Sequence, residues 1–203
     1  YAVYDNDPSN AEIYGNLYNW YTVDDNRGVC PEGFHIPSDN EYTNLTDYLG
    51  GESVAGGKMK EAGLEHWNSP NTGATNESGF TALPAGYRNN GPNLTYQFIE
   101  TVGFYWSATN NSSDQSWIIE LSHNSSEISR HSAINSHGYS IRCLETIEGC
   151  TDSLAINDTY DPEANANDGS CIYPDNGDFS LEFDGDDFVD VSNNSAYNNL
   201  GDF

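Results

Sequence analysis

Four cysteines set the tightest limit on how this chain can fold. They stand at Cys30, Cys143, Cys150 and Cys171. No two have C-x-x-C spacing, and no histidine sits where a tetrahedral zinc site would want one. An even count, wide spacing and a background rich in Asn, Ser, Thr and Gly read as structural disulfides made in an oxidising compartment. With 203 residues there is room for one domain of ordinary size plus something small.

Charge narrows the partners. The chain has 32 Asp and Glu against 6 Lys and Arg, a formal net charge of -26. Phosphate contacts need clustered cations, so nucleic acid and anionic membrane surfaces are excluded as partners. Salt, divalent cations and neutral glycans fit this charge; so does the blander reading, in which acidity only keeps a secreted protein soluble. No apolar run approaches the ~20 residues of a membrane helix, so no membrane insertion is expected. The chain opens at Tyr1 with no initiator Met and no signal peptide, which reads as a processed or trimmed segment. With 14 Tyr and 4 Trp against a single Met, the core is expected to be aromatic and loop-rich.

Three compositional zones follow one another: 1–146, 147–174 and 175–203. The first holds one strong helix signal. Ser38-Asp39-Asn40-Glu41 is a capping box, with Pro37 ahead of it. Tyr42, Leu45 and Leu49 then recur at helical spacing, and Gly50-Gly51 ends the run. Strand-like runs are expected at 80–85, 104–106, 116–121 and 139–144, with long loops over 68–78 and 88–96. One early helix followed by short strands and long loops predicts an α+β domain rather than a sandwich or a doubly wound sheet.

Several stretches of the first zone carry a resemblance. Tyr14-Gly15-Asn16-Leu17-Tyr18-Asn19-Trp20-Tyr21 is followed by Cys30-Pro31-Glu32-Gly33-Phe34-His35-Ile36-Pro37-Ser38 and by Gly57-Lys58-Met59-Lys60. Ser78-Gly79-Phe80-Thr81-Ala82-Leu83-Pro84-Ala85-Gly86-Tyr87-Arg88, Tyr105-Trp106-Ser107-Ala108-Thr109 and Ser140-Ile141-Arg142-Cys143-Leu144 complete the series. Together they resemble the Fibrobacter succinogenes major paralogous domain of exported bacterial proteins, over residues 1 to about 145. That family looks like a branch of the C-type-lectin-like fold shared with formylglycine-generating enzymes. The resemblance implies that Cys30 pairs with Cys143, a long closure worth roughly 4 kcal/mol on the chain-entropy model. It also implies an opening strand that lies ahead of Tyr1, and a local cysteine pair whose positions are Val3 and Ala11 here.

The second zone, from Gly149-Cys150 to Ser170-Cys171, resembles a short cysteine-bounded repeat of exported Bacteroidetes proteins, with Cys150 expected to pair with Cys171. Phe179 to Val191 is similar to the opening strands of a laminin-G-like, concanavalin-type sandwich, of which only the start is present. Leu181, Phe183 and Val189 alternate there with Glu182, Asp184 and Asp190, the pattern of a half-buried strand.

The chemistry of a catalyst is hard to find. The fold's oxidases use a reactive cysteine pair shortly before the last structural cysteine, and residues 129–138 contain none. A thiolate cannot be replaced by serine without a base and an oxyanion site. His123, His131 and His137 are candidates for a metal site or a general base, against the plainer reading of exposed loop histidines. Sugar-binding lectins of this fold use a Trp-Asn-Asp triplet, whereas here Trp67-Asn68-Ser69 lacks the metal-binding Asp. Trp67, Trp106 and Trp117 are the candidate ligand-stacking residues, Trp106 and Trp117 equally core aromatics of the last sheet. Calcium is the candidate cofactor, on the hard oxygens of Asp152, Asn157, Asp158, Asp161, Asn165, Asn167 and Asp168, with Gly169 as the turn. The alternative is an Asx-turn-rich linker that folds without metal. Asp152-Ser153-Leu154 looks like an O-glycosylation site of exported Bacteroidetes proteins, and Asn44 and Asn93 head N-glycosylation sequons.

The expected function is therefore a non-catalytic binding or adhesion module of a large secreted, cell-surface bacterial protein, with an extracellular protein or glycan as ligand. A spacer or subunit of an extracellular filament is the alternative, and an enzyme of the formylglycine-generating type is a distant third. The chain is expected to be an internal piece of a longer polypeptide, completed by further domains or by neighbouring copies. Mass mapping of non-reduced peptides is expected to recover Cys30 joined to Cys143 and Cys150 joined to Cys171. A Cys143–Cys150 peptide would overturn this pairing.

Overall fold

The computed structural model describes residues 1–91, 94–156 and 159–173. The chain divides into two compact units, Tyr1–Thr146 and Ile147–Phe203. The first is a mixed α+β domain. The expected sandwich strands at 179–191, the calcium candidates Asn157 and Asp158, and the sequon residue Asn93 lie outside the described residues.

Unit one opens with two short helices, α1 (Pro8–Tyr14) and α2 (Trp20–Val23). A two-residue strand β1 (Phe34–His35) leads into α3 (Asp39–Tyr48) and α4 (Glu52–Met59). The capping box forms as the sequence requires: the Ser38 hydroxyl accepts from the Glu41 amide, and the Glu41 carboxylate accepts from the Ser38 amide at 2.8 Å. His35 contacts the same carboxylate at 2.8 Å and the Thr146 hydroxyl at 2.8 Å. That ties the start of α3 to the end of the domain, where β7 (Leu144–Glu145) pairs with β1.

The main sheet contains β2 (Ala85–Asn89), β3 (Thr95–Ile99), β4 (Val102–Asn110), β5 (Gln115–Ser122) and β6 (Ile128–Ile134), in the order β3-β2-β4-β5-β6. All neighbours are antiparallel except β2 and β4, which run parallel through Gly86 and Gly103. Side chains of a strand alternate between faces, and here both central faces are covered. Tyr105, Ile119 and Leu121 join Tyr42, Leu49, Ala55, Met59 and Trp67 on the helical side. Phe104, Trp106 and Ile118 join Trp20, Val102, Ala133 and Tyr139 on the other. Residues 102–107 are therefore buried without interruption, which explains why they read as an aromatic run rather than an alternating one.

Four expectations change. The run at 80–85 is not a strand: Thr81 takes a positive φ of 50°, held there by the Asn76 side chain, and Pro84 has no N–H to give a ladder. The strand starts at Ala85 instead. The expected loop at 88–96 is partly a hairpin, because Arg88 pairs with Tyr96. Residues 139–144 do not form one continuous strand. Tyr139 bridges to Tyr18 and Ser140 to Tyr105, after which Arg142 turns its side chain to the Thr81 carbonyl. The segment that aligned with the oxidase cysteines is mostly the strand β6, a polar edge strand whose sequence shows little apolar alternation.

Unit two holds a two-residue parallel pair, β8 (Glu148–Gly149) and β9 (Ala166–Asn167), closed by the Cys150–Cys171 disulfide. Cys30–Cys143 closes unit one, with 113 residues of sequence separation.

Gly56 is where α4 meets the turn between β5 and β6. A Cβ there would lie 2.2 Å from the Glu127 carbonyl oxygen, and one at Gly57 would lie 2.4 Å from that of Gly73. Backbone atoms cannot step aside as a side chain can. Gly56→Ala is expected to cost about 3 kcal/mol by overpacking, although alanine is the better helix former. Urea unfolding will measure this, and a stability equal to or above wild type would show that the approach is not tight.

Candidate functional site

The most unusual buried group in unit one is Lys60, just after α4. It is 0% exposed in a chain with few cations. Its ammonium donates to the carbonyls of Thr72 at 3.0 Å, Ser122 at 2.8 Å and Ser125 at 2.7 Å, and lies 5.4 Å from the Trp67 ring centroid. A lysine ammonium has three N–H donors and all three are used. One side chain thus binds the 68–78 loop to the turn after β5. Burial lowers its pKa from the ordinary 10.5 to about 8.

A second feature is a cavity of about 440 Å³ walled by α1 and the following turn, by Tyr18, by Leu83 and Tyr105, and by Ser140, Ile141 and Arg142. Arg142 donates to the Thr81 carbonyl at 2.8 Å, and its guanidinium carbon lies 5.2 Å from the Phe80 centroid and 5.8 Å from that of Tyr105. Its Nε is sealed from solvent without an acceptor. Among the described residues Arg27, Lys58 and Arg130 are each paired with a carboxylate, of Asp25, Glu77 and Asp39. Among the described residues no carboxylate pairs with Arg142, nor with Arg88. A volume of this size falls within the range of small-ligand pockets, roughly 300–1,000 Å³.

The sequence-predicted residues do not gather into one site. Trp67 and Trp106 are core residues, 2% and 0% exposed. Their indole N–H groups donate inward, to the Ala82 carbonyl at 2.9 Å and the Tyr18 carbonyl at 2.7 Å. Neither offers a ring face to a sugar, and the ligand-stacking expectation for these two is corrected. The physical reason is that β4 is covered on both faces, and that Trp67 turns into the core on the helical side of the sheet. Trp117 is half-buried on β5, 6.0 Å from the Arg130 guanidinium carbon, and keeps some surface.

The three histidines are also dispersed. His123 reaches the Ser69 carbonyl, His131 lies 3.6 Å from Glu120, and His137 lies 3.2 Å from the Tyr139 hydroxyl with its pKa lowered by burial. A different group was missed: Glu61, Glu65 and His66, whose ligand-type atoms all lie within 4.8 Å of one another. His66 Nδ1 is already 3.0 Å from both Glu61 carboxylate oxygens, and the His66 ring meets Tyr14 edge-on. The signal in sequence was only the crowding of three such residues within six positions.

In unit two each described calcium candidate is engaged locally. Asp152 accepts from the Leu154 amide and the Tyr173 hydroxyl, Asp161 from Glu163, Asn165 from Ile147, Asn167 from Gly169, and Asp168 from Ser170. Most of these are Asx turns, in which the side chain caps an amide two residues on. Among the described residues, Asp152, Asp161 and Asp168 form no three-membered cluster of the kind seen at Glu61.

An aromatic-cored α+β domain, closed end to end by one disulfide and carrying its cavity beside the last structural cysteine, is the class that this fold and site define. Residues 1–145 match the profile of the Fibrobacter succinogenes major domain (Fib_succ_major), and the chain belongs to that family. No curated protein and no solved structure matches the chain. Among the described residues no helix is long and apolar enough to cross a membrane.

Lys60 generates a prediction with a definite sign. Its folded pKa lies below its unfolded value, so the native state sheds the proton first and gains stability as pH rises from about 8 towards 10.5. Lys60→Met is expected to cost about 2–3 kcal/mol at pH 7, because three buried carbonyls lose their donor. Relative to that variant, wild type should gain about 2 kcal/mol between pH 8 and 10. Denaturant unfolding of both proteins across this range checks it, and a pH-independent difference would sink the assignment.

Proposed function

We propose that this chain is a non-catalytic, extracellular binding module of a secreted bacterial surface protein, built on a C-type-lectin-like frame, with adhesion or display as its role. The observation that carries this reading is the cavity at Arg142. It is preformed and lined by tyrosines, and on its wall stands Arg142, a cation that among the described residues has no carboxylate partner, in a chain of net charge -26. Specificity lies in such sites and not in the fold that carries them. The site's walls come from α1, the turn after it and the 140–142 segment, all held by the Tyr18–Tyr139 and Ser140–Tyr105 bridges.

Two observations weigh against the oxidase alternative. All four cysteines are in disulfides, leaving no free thiol to act as nucleophile. The segment in the position of the reactive pair is spent on backbone pairing with β5. Unit two is best read as a spacer closed by its disulfide and its Asx turns. Calcium bound there would have to draw oxygens out of turns that already use them.

The test is an array of extracellular glycans and proteins probed with the full chain, followed by amide-exchange mapping of any bound ligand. Binding is expected to slow exchange over residues 11–18 and 138–142. A chain that binds nothing, or whose footprint avoids those residues, would remove the reading.

A further inference from the structure

The walls of the Arg142 cavity say more than that something binds. Arg142 is fixed before any ligand arrives: one N–H is spent on the Thr81 carbonyl, and the guanidinium carbon sits 5.2 Å from the Phe80 ring centroid and 5.8 Å from that of Tyr105. A planar fork held in place is the donor arrangement that suits a carboxylate, and little ordering remains to be done on binding. The wall also contains Asn16, Ser140 and the hydroxyl-bearing rings of Tyr14 and Tyr18, groups that exchange hydrogen bonds with alcohols. Tyrosine rings add apolar faces against which a sugar ring can lie.

Glu12 is on the same wall. A carboxylate facing the ligand accepts from hydroxyl groups but repels a second negative charge. The chain as a whole, at -26, repels polyanions as well. One cation and one anion in a single cavity therefore select against phosphate dianions and sulfated chains. They favour a ligand with one carboxylate and several hydroxyls.

We infer that the Arg142 cavity binds a uronic-acid residue of a glycan, its carboxylate on Arg142 and its hydroxyls on Glu12, Asn16 and Ser140. This rests on the binding reading above and specifies the ligand of that same site.

The experiment titrates the full chain with glucuronate, glucose and glycine in turn, followed by amide chemical shifts. Glucuronate is expected to shift signals of residues 11–18 and 140–142, with glucose at least about tenfold weaker, since a charge-assisted pair is the main discriminator. Arg142→Lys should lose about tenfold in glucuronate affinity, because an ammonium does not reproduce the fork. Arg142 also supports Thr81 and can affect folding, so a second variant is needed. Glu12 is exposed, and Glu12→Gln should raise the preference for glucuronate over glucose several-fold, because it removes one like charge facing the carboxylate and weakens an acceptor that both sugars use.

Equal binding of glucose and glucuronate at these residues would overturn the carboxylate assignment and leave the binding reading standing. Glycine binding tighter than glucuronate would also overturn it, in favour of a zwitterion site that uses Glu12 for an amine. If none of the three probes perturbs residues 11–18 and the arrays are silent, both readings fall.

Discussion

The ammonium of Lys60 is the interaction on which the long-loop side of the domain depends. The loop over residues 68–78 has no regular structure, and its Thr72 carbonyl turns inward to the buried ammonium. A buried carbonyl without a donor costs about 1–3 kcal/mol. Lys60 supplies donors to two stretches of chain at once, through Thr72, Ser122 and Ser125. It can arrive there only because Gly56 and Gly57 let α4 press its backbone against Glu127 and Gly73. The glycines and the lysine are thus one device. Without the close approach the lysine would be too far away, and without the lysine the close approach would bury unpaired carbonyls.

The same economy explains why so many aromatic residues are inside. β4 and β5 are buried on both faces, so each strand needs large side chains at successive positions rather than at alternate ones. Large aromatic residues fill that space, and those with polar tips need partners. Trp20, Trp67 and Trp106 each place the indole N–H on a backbone carbonyl, of Ser107, Ala82 and Tyr18. The Ala82 and Tyr18 carbonyls lie outside the main sheet, and that of Ser107 lies where the β4–β5 register shifts between Trp106 and Asn110. The tryptophans are therefore used as donors for loops, which is why rings that look like sugar platforms in sequence are spent on folding.

How much of this was legible in sequence depended on how local the cause was. The α3 helix could be read because its capping box, apolar spacing and Gly50-Gly51 stop all lie within 14 residues. The strands at 102–110 and 115–122 could be read because both faces are apolar. By contrast, β6 was missed because an edge strand needs few apolar residues, and Ser129, Arg130 and His131 give it none. The 80–85 run misled because its composition suits a strand, whereas Thr81 is held at positive φ by Asn76, a contact that no periodicity announces. The cavity at Arg142 was invisible for the same kind of reason. It joins residues 11–18 to residues 83, 105 and 140–142, and only the bridges Tyr18–Tyr139 and Ser140–Tyr105 bring them together. The resemblance marked Arg142 as part of a motif but did not say that it would line a void.

The distribution of cations carries the functional argument one step further. With 32 acidic residues and 6 basic ones, carboxylates compete for every cation, and among the described residues Arg88 and Arg142 stand without one. Arg130 answers that competition by gripping Asp39 in the first turn of α3 from across β6. Arg27 and Lys58 pair with near neighbours at the surface, where such pairs contribute little. Lys60 escapes it by burial. Arg142 escapes it differently: Phe80 and Tyr105 stand beside its guanidinium, the Thr81 carbonyl accepts from it, and a cavity is left open alongside. If its role were only to support Thr81, a neutral donor would serve, and there would be no need to shield a permanent charge in so acidic a chain. A shielded cation on the wall of an open cavity makes physical sense when the anion it awaits comes from outside.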